Sequence, residues 1–253
     1  MYRIQRKLLS QNFLYSRKLV TSLVGNSSIG KNDTVLEIGP GKGIITEQLL
    51  KRSKKVIAVE LDRFWYDYLR IKFDHNPNFC IYHQDFLNFS LPKESYKVFA
   101  NIPFPIEGQI IRKLIDDSNP PTDCYLVMVK ELAYRLAAPY KENQFSITHK
   151  PFFDFSIYHH FRKTDFTPMT SVDSVILRFA KRENCLIPFQ EREKYQKFVE
   201  YGFGQGLPIY RNLKRYFSIK NINSAFQTLR INRNLKPSYL PLNKWIELYK
   251  KID

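Results

Sequence analysis

Residues 34–43 run Thr34-Val35-Leu36-Glu37-Ile38-Gly39-Pro40-Gly41-Lys42-Gly43. The first five are mostly aliphatic or β-branched, which predicts a strand buried on both faces. Glycines at 39, 41 and 43 then predict a tight turn, where a backbone without side chains can approach a ligand closely. Ile44–Arg52 reads as a helix, so the turn feeds a helix N-terminus, whose free N–H groups favour an anionic group. The next strand, Lys55–Glu60, ends on a carboxylate 21 positions after Gly39. A carboxylate there is placed to accept hydrogen bonds from both hydroxyls of a ribose.

The alternation of strand and helix continues to about residue 180. Arg63–Phe73, Glu107–Asp117 and Lys130–Ala138 read as helices, and Phe79–His83, Lys97–Asn101 and Asp123–Val129 as strands. Phe153–Phe161 and Asp173–Phe179 suit a closing pair of strands. This order predicts an α/β fold, a Rossmann-like and mostly parallel sheet with helices on both faces. Ligands in such sheets bind beyond the carboxyl ends of the strands. After about Glu183 no strong strand remains. Gln190–Tyr201, Pro208–Ser218, Ile222–Leu229 and Leu242–Lys251 read as short helices, punctuated by glycines and prolines. The expectation is a catalytic domain over residues 1–182 and a small helical, basic domain over 183–253.

Two ligand classes compete for the glycine turn. A dinucleotide fingerprint needs glycine or alanine three places after its second glycine, and Ile44 stands there. Gly-x-Gly-x-Gly behind a Glu suits S-adenosylmethionine, whose methionine carboxylate and amine replace the pyrophosphate. An ordinary turn without a ligand is the plainer alternative. In His83-Gln84-Asp85-Phe86, Asp85 can accept a hydrogen bond from the cofactor's adenine amine, with Phe86 beside the ring. Alone, an Asp after a strand more often caps a turn.

Asn101-Ile102-Pro103-Phe104 closes the fourth strand. An adenine amine is a poor nucleophile because its lone pair is delocalised into the ring. The Asn101 side chain and the Ile102 carbonyl can both accept hydrogen bonds from it. They would aim the lone pair at a methyl group and stabilise the charge that develops on nitrogen. Pro103 stiffens the turn, and Phe104 offers a flat face to an extruded base. Such chemistry needs neither a metal nor a protein nucleophile. His159-His160 is no ligand pair, since neighbours on a strand face opposite ways.

With these four motifs in order, the chain resembles the ribosomal RNA adenine dimethyltransferase superfamily over nearly its whole length. Gln11-Asn12-Phe13-Leu14 is similar to the family's N-terminal cofactor motif. The resemblance implies that Asn12 and Leu14 touch the cofactor, together with Gly39, Gly41, Glu60, Leu61, Asp85, Phe86 and Asn101. Phe166-Thr167-Pro168, with Val172 and Ser174, looks like the family's late motif, and implies that Phe166 stacks the target adenine opposite Phe104. Asn101-Ile102-Pro103 and the closing Leu242–Leu248 resemble the erythromycin-resistance methyltransferases of 23S rRNA. That likeness implies adenine N6 methylation and resistance to macrolide, lincosamide and streptogramin antibiotics. The alternatives are a small-subunit (16S) rRNA dimethyltransferase and a catalytically silent rRNA-binding assembly factor. Phe104 replaces the family's more usual Tyr, Pro105 stands where Asn is frequent, and Ile106-Glu107-Gly108 departs from a Ser/Thr-rich stretch. These changes border the amine pocket and leave open whether one methyl group is added or two.

Composition agrees with a nucleic-acid partner. Forty Lys and Arg against 24 Asp and Glu give a formal charge of +16. A surplus of that size favours a polyanion, because each neutralised phosphate releases a counterion. Residues 181–253 carry 15 basic against 6 acidic side chains, so the tail is the more basic part. Cys80, Cys124 and Cys185 form no close pair, which argues against a disulfide framework or a zinc site. Met1–Ser10 is basic without the apolar stretch of a signal peptide. The apolar run Tyr125–Val129 is far too short to span a bilayer. The expectation is a cytoplasmic monomer that binds rRNA and no membrane.

Overall fold

A computed structural model of the chain describes residues 12–138 and 141–252. Met1–Gln11, with the basic start and the first residue of the N-terminal motif, lie outside the described residues, as does Tyr140. By the contacts they make, the described residues form two compact units. One holds the residues up to Ala133 together with Ser156–Lys181, and the other Tyr134–Phe155 together with the residues from Arg182 onward.

The first unit begins with β1 (Phe13–Leu14) and α1 (Arg17–Gly25), followed by β2 (Thr34–Ile38), α2 (Ile44–Arg52), β3 (Lys55–Glu60), α3 (Arg63–Lys72) and β4 (Phe79–His83). Then come β5 (Lys97–Asn101), α4 (Glu107–Asp116), β6 (Asp123–Val129) and α5 (Lys130–Ala137). After α6 (Gln144–His149) the chain returns through β7 (Phe153–His160), β8 (Phe166–Thr167) and β9 (Ser174–Lys181). Seven strands form one sheet in the order β4-β3-β2-β5-β6-β9-β7. The five from β4 to β6 are parallel, and β9 joins β6 antiparallel. β1 and β8 pair separately, Leu14 opposite Phe166.

The strands are continuous apolar runs because both faces are covered. Val35 and Leu36, neighbours on β2, are both fully buried. On one face Val35, Val56, Phe99, Tyr125 and Ile176 share a core with Val20, Leu23 and Val24 of α1 and Ile45 and Leu49 of α2. The amino ends are locked by charge. Arg178 forks onto Asp123 at 2.8 Å, and Lys97 meets Asp33 at 2.9 Å. Chain order runs from β2 outward to β4, then reverses to β5 beside β2. A crevice therefore opens beyond the carboxyl ends of β2 and β5, where this class of sheet holds its ligand.

The second unit continues with α7 (Arg192–Phe203), α8 (Ile209–Leu213), α9 (Ile219–Thr228) and α10 (Leu242–Ile252). Trp245 is its fully buried centre, stacked on Phe203 at 5.4 Å. The sequence boundary at residue 182 leaves out the excursion Tyr134–Phe155. Phe152, fully buried, packs edge-on against Phe189 and Tyr195, and the Tyr195 hydroxyl donates to the Ile147 carbonyl at 3.2 Å. Apolar burial thus draws Phe152 to these helices, just before Phe153–Phe155 open β7. Among the described residues no helix is long and apolar enough to cross a membrane.

Candidate active site

Two turns flank the crevice, one leaving β2 and the other leaving β5. Gly39, Gly41 and Gly43 all have left-handed φ, +63°, +52° and +76°. An L side chain is strained there, which explains the repeated glycine. The Gly39 N–H donates to the Val59 carbonyl at 2.9 Å, tying the turn to β3. A Cβ on Gly39 would meet no atom within 4 Å, so its open side faces the crevice, whereas a Cβ on Gly41 would lie 2.6 Å from the Phe13 ring.

Glu60 closes the turn from β3. It is 3% exposed, and its carboxylate accepts from the Gly41 N–H at 3.0 Å and the Asp62 N–H at 2.9 Å. Burial pushes its pKa up, and these N–H groups oppose the shift. Each carboxylate oxygen keeps further acceptor capacity for a ligand hydroxyl. Glu37, one residue before Ile38, is buried behind the turn with Oε2 unpartnered. Burial lifts its pKa to about 8, with the nearby Glu60 adding to the rise.

Asp85 caps the 3-10 turn Phe86–Asn88 by accepting from the Leu87 N–H at 2.9 Å. Asn101 ends β5, and its side-chain Nδ2 donates to the Asn12 carbonyl at 2.7 Å. A carbonyl can only accept, so this bond fixes the amide's orientation and leaves Oδ1 as the outward acceptor. Ile102 N–H closes the strand on the Val127 carbonyl at 3.3 Å. Pro103, at φ −65°, then starts the 3-10 turn Phe104–Ile106.

These parts line one open cleft. Asn12, Gly39, Gly41, Glu60, Leu61, Asp85, Phe86, Asn101, Ile102 and Phe104 all reach it. Two expected residues do not line it. Leu14 and Phe166, paired across β1 and β8, are 3% and 2% exposed and belong to the core under the sheet. Phe166 packs edge-on against Phe161. Phe13, whose side chain points opposite to that of Leu14, lines the cleft. Gln84 and Ile106 also line the cleft. Gln84 was legible as a neighbour of Asp85, whereas Ile106 carries no local signal. His159 and His160 lie on β7, and among the described residues no three of His, Cys, Asp or Glu gather to hold a metal ion.

The chain is similar to known proteins over nearly its whole length. A family model described as "Ribosomal RNA adenine dimethylase" matches residues 3–253. An rRNA adenine N-6-methyltransferase of Bacillus anthracis is 29% identical over 94% of this chain and 84% of its own. A ribosomal RNA small subunit methyltransferase A from a Nostoc strain is 31% identical over 96% of each chain. Among solved structures, the 23S rRNA methyltransferase ErmE superposes with a TM-score of 0.83 at 25% identity, over 96% of this chain and all of that one.

Proposed function

The chain belongs to the ribosomal RNA adenine dimethylase family, and we propose that it methylates N6 of an adenine in 23S rRNA, conferring macrolide-lincosamide-streptogramin resistance. It is an S-adenosylmethionine-dependent rRNA adenine N6-methyltransferase. The observation that carries the reading is the single cleft that joins the Gly39–Gly43 turn, Glu60 and the Asn101–Phe104 turn. The open cleft and the unfilled space at Gly39 leave the cofactor's methionine end room beside the turn.

When bound, S-adenosylmethionine supplies an electrophilic methyl group on a sulfonium sulfur. Gly39, Gly41 and Asn12 would hold its methionine end. Glu60 would accept from its ribose hydroxyls, and Leu61, Asp85 and Phe86 would hold its adenine. Asn101 Oδ1 and the Ile102 carbonyl accept hydrogen bonds from the target amine. They orient its lone pair and favour the positive charge that grows on nitrogen. Phe104 stacks the extruded base, so alignment rather than acid or base catalysis supplies most of the acceleration. The exposed cations of the basic second unit would hold RNA phosphates. The protein acts on rRNA as a cytoplasmic monomer.

The choice of 23S rRNA rests on the likeness to ErmE across both full chains and on Asn101-Ile102-Pro103 with the closing Leu242–Leu248. The 31% identity to a small-subunit methyltransferase A favours 16S rRNA as the second reading. Expression in a macrolide-sensitive bacterium separates the two. Raised macrolide tolerance, lost with Asn101→Ala, supports the first. Unchanged tolerance with abundant folded protein, together with complementation of a strain lacking the 16S modification, supports the second.

A further inference from the structure

The turn that would receive the target amine is fastened to β6 at both ends. Pairing of β5 with β6 ends at Asn101 opposite Val127. The Ile102 N–H still reaches the Val127 carbonyl at 3.3 Å. The chain then leaves the sheet, since Pro103 has no N–H and Phe104–Ile106 winds into a 3-10 turn. β6 runs on for two residues, to Val129. The Val129 N–H has no residue of β5 opposite it and donates instead to Glu107 Oε1 at 2.8 Å. Glu107 is the first residue of α4, directly after the turn, and is 3% exposed. Its carboxyl stands in for the missing strand carbonyl.

We propose that Glu107 is a positioning residue for methyl transfer. Its bond to the Val129 N–H pins the far end of the Ile102–Ile106 turn, so that Asn101 Oδ1 and the Ile102 carbonyl keep the separation that aims the amine. The proposal deepens the reading above and rests on the amine being held by that turn. A carboxyl spent on burial in this way contributes little to solubility and lines no part of the cleft. A buried backbone N–H left without an acceptor is costly, so loss of the side chain would make the turn move to satisfy Val129. The clamp joins α4 to β6, whereas the cofactor-binding groups stand at the ends of β2, β3 and β4.

The test compares Glu107→Ala and Glu107→Gln in the full chain, by amide hydrogen exchange and by steady-state methylation of rRNA. In Glu107→Ala, exchange at Val129 and across residues 102–106 should speed up at least tenfold. kcat should fall at least tenfold, while the Kd for S-adenosylmethionine and the KM for RNA stay within about twofold. Glu107→Gln keeps an acceptor oxygen and should recover most of kcat and of the protection at Val129. Unchanged exchange at Val129 in Glu107→Ala overturns the clamp whatever the activity. A Gln variant no better than Ala at equal folded fraction, or a kcat unaffected by either change, also overturns it. If the unaltered protein transfers no methyl to rRNA, the functional reading fails, and the exchange data still decide the clamp.

Discussion

Replacing Gly39 and Gly43 separately with alanine tests how the glycine turn divides its work. Both have left-handed φ, +63° and +76°. Alanine there costs about 1–2 kcal/mol in backbone strain alone. The surroundings differ. A Cβ on Gly39 meets nothing within 4 Å, whereas one on Gly43 would stand 2.5 Å from Leu69 Cδ2 and 3.0 Å from Phe73 Cε2. Leu69 is fully buried and cannot swing away. Overpacking of a core adds about 1–3 kcal/mol. Gly43→Ala should therefore cost roughly 2–5 kcal/mol of stability and Gly39→Ala only about 1–2 kcal/mol. Cofactor affinity should rank the other way. The new methyl of Gly39→Ala enters the cleft, and should weaken S-adenosylmethionine binding more than tenfold, or about 1.4 kcal/mol. Urea unfolding measures the first quantity and calorimetric titration the second. Equal losses of stability, or a folded Gly43→Ala protein that loses more cofactor affinity than Gly39→Ala, would refute the division.

Glu60→Gln should weaken S-adenosylmethionine binding at least tenfold by calorimetry. The new amide nitrogen must face either the Gly41 or the Asp62 N–H, where the carboxylate now accepts from both; unchanged affinity would remove Glu60 from the site. Phe104→Ala should lower kcat/KM on rRNA by the stacking free energy of about 1–3 kcal/mol, roughly 5–150-fold, while Phe104→Tyr stays near the unaltered rate. Loss of cofactor affinity instead of rate would place Phe104 against the cofactor. Burial raises the Glu107 pKa from 4.5 to about 7. Between these values the folded protein holds a proton that the unfolded chain has released, so stability falls as pH rises through that window and levels off above it. Glu107→Gln should flatten the pH dependence of unfolding by up to about 3 kcal/mol, and parallel curves for the two proteins would contradict the buried acid.

Much of this architecture was readable because two of its causes are local. Apolar runs of five to seven residues mark β2, β3, β5 and β6 at their observed bounds, since a strand covered on both faces has no polar alternation to blur it. Glycine spacing marks the turn for the same kind of reason: only a residue without Cβ sits at three left-handed positions in a row of five. What escaped is set by distant partners. α1 reads Arg-Lys-Leu-Val-Thr-Ser-Leu-Val-Gly, with β-branched residues and a weak apolar stripe, and gains its helix from packing on β2 and β6. α6, which no strong periodicity marks, is opened by an Asn143 cap whose side chain accepts from the Ser146 N–H. The pairing of Leu14 with Phe166 across β1 and β8, which buries both side chains, joins residues far apart in sequence. The clamp of Glu107 on Val129 spans 22 residues, and nothing in the local pattern announces it.

Incubation of the purified protein with methyl-labelled S-adenosylmethionine and separate 23S and 16S rRNA transcripts, followed by digestion to nucleosides, tests the central claim most directly. The account predicts label in N6-methylated adenosine from the 23S transcript, and none with Asn101→Ala. Label on any other nucleoside, or on the 16S transcript alone, would contradict it.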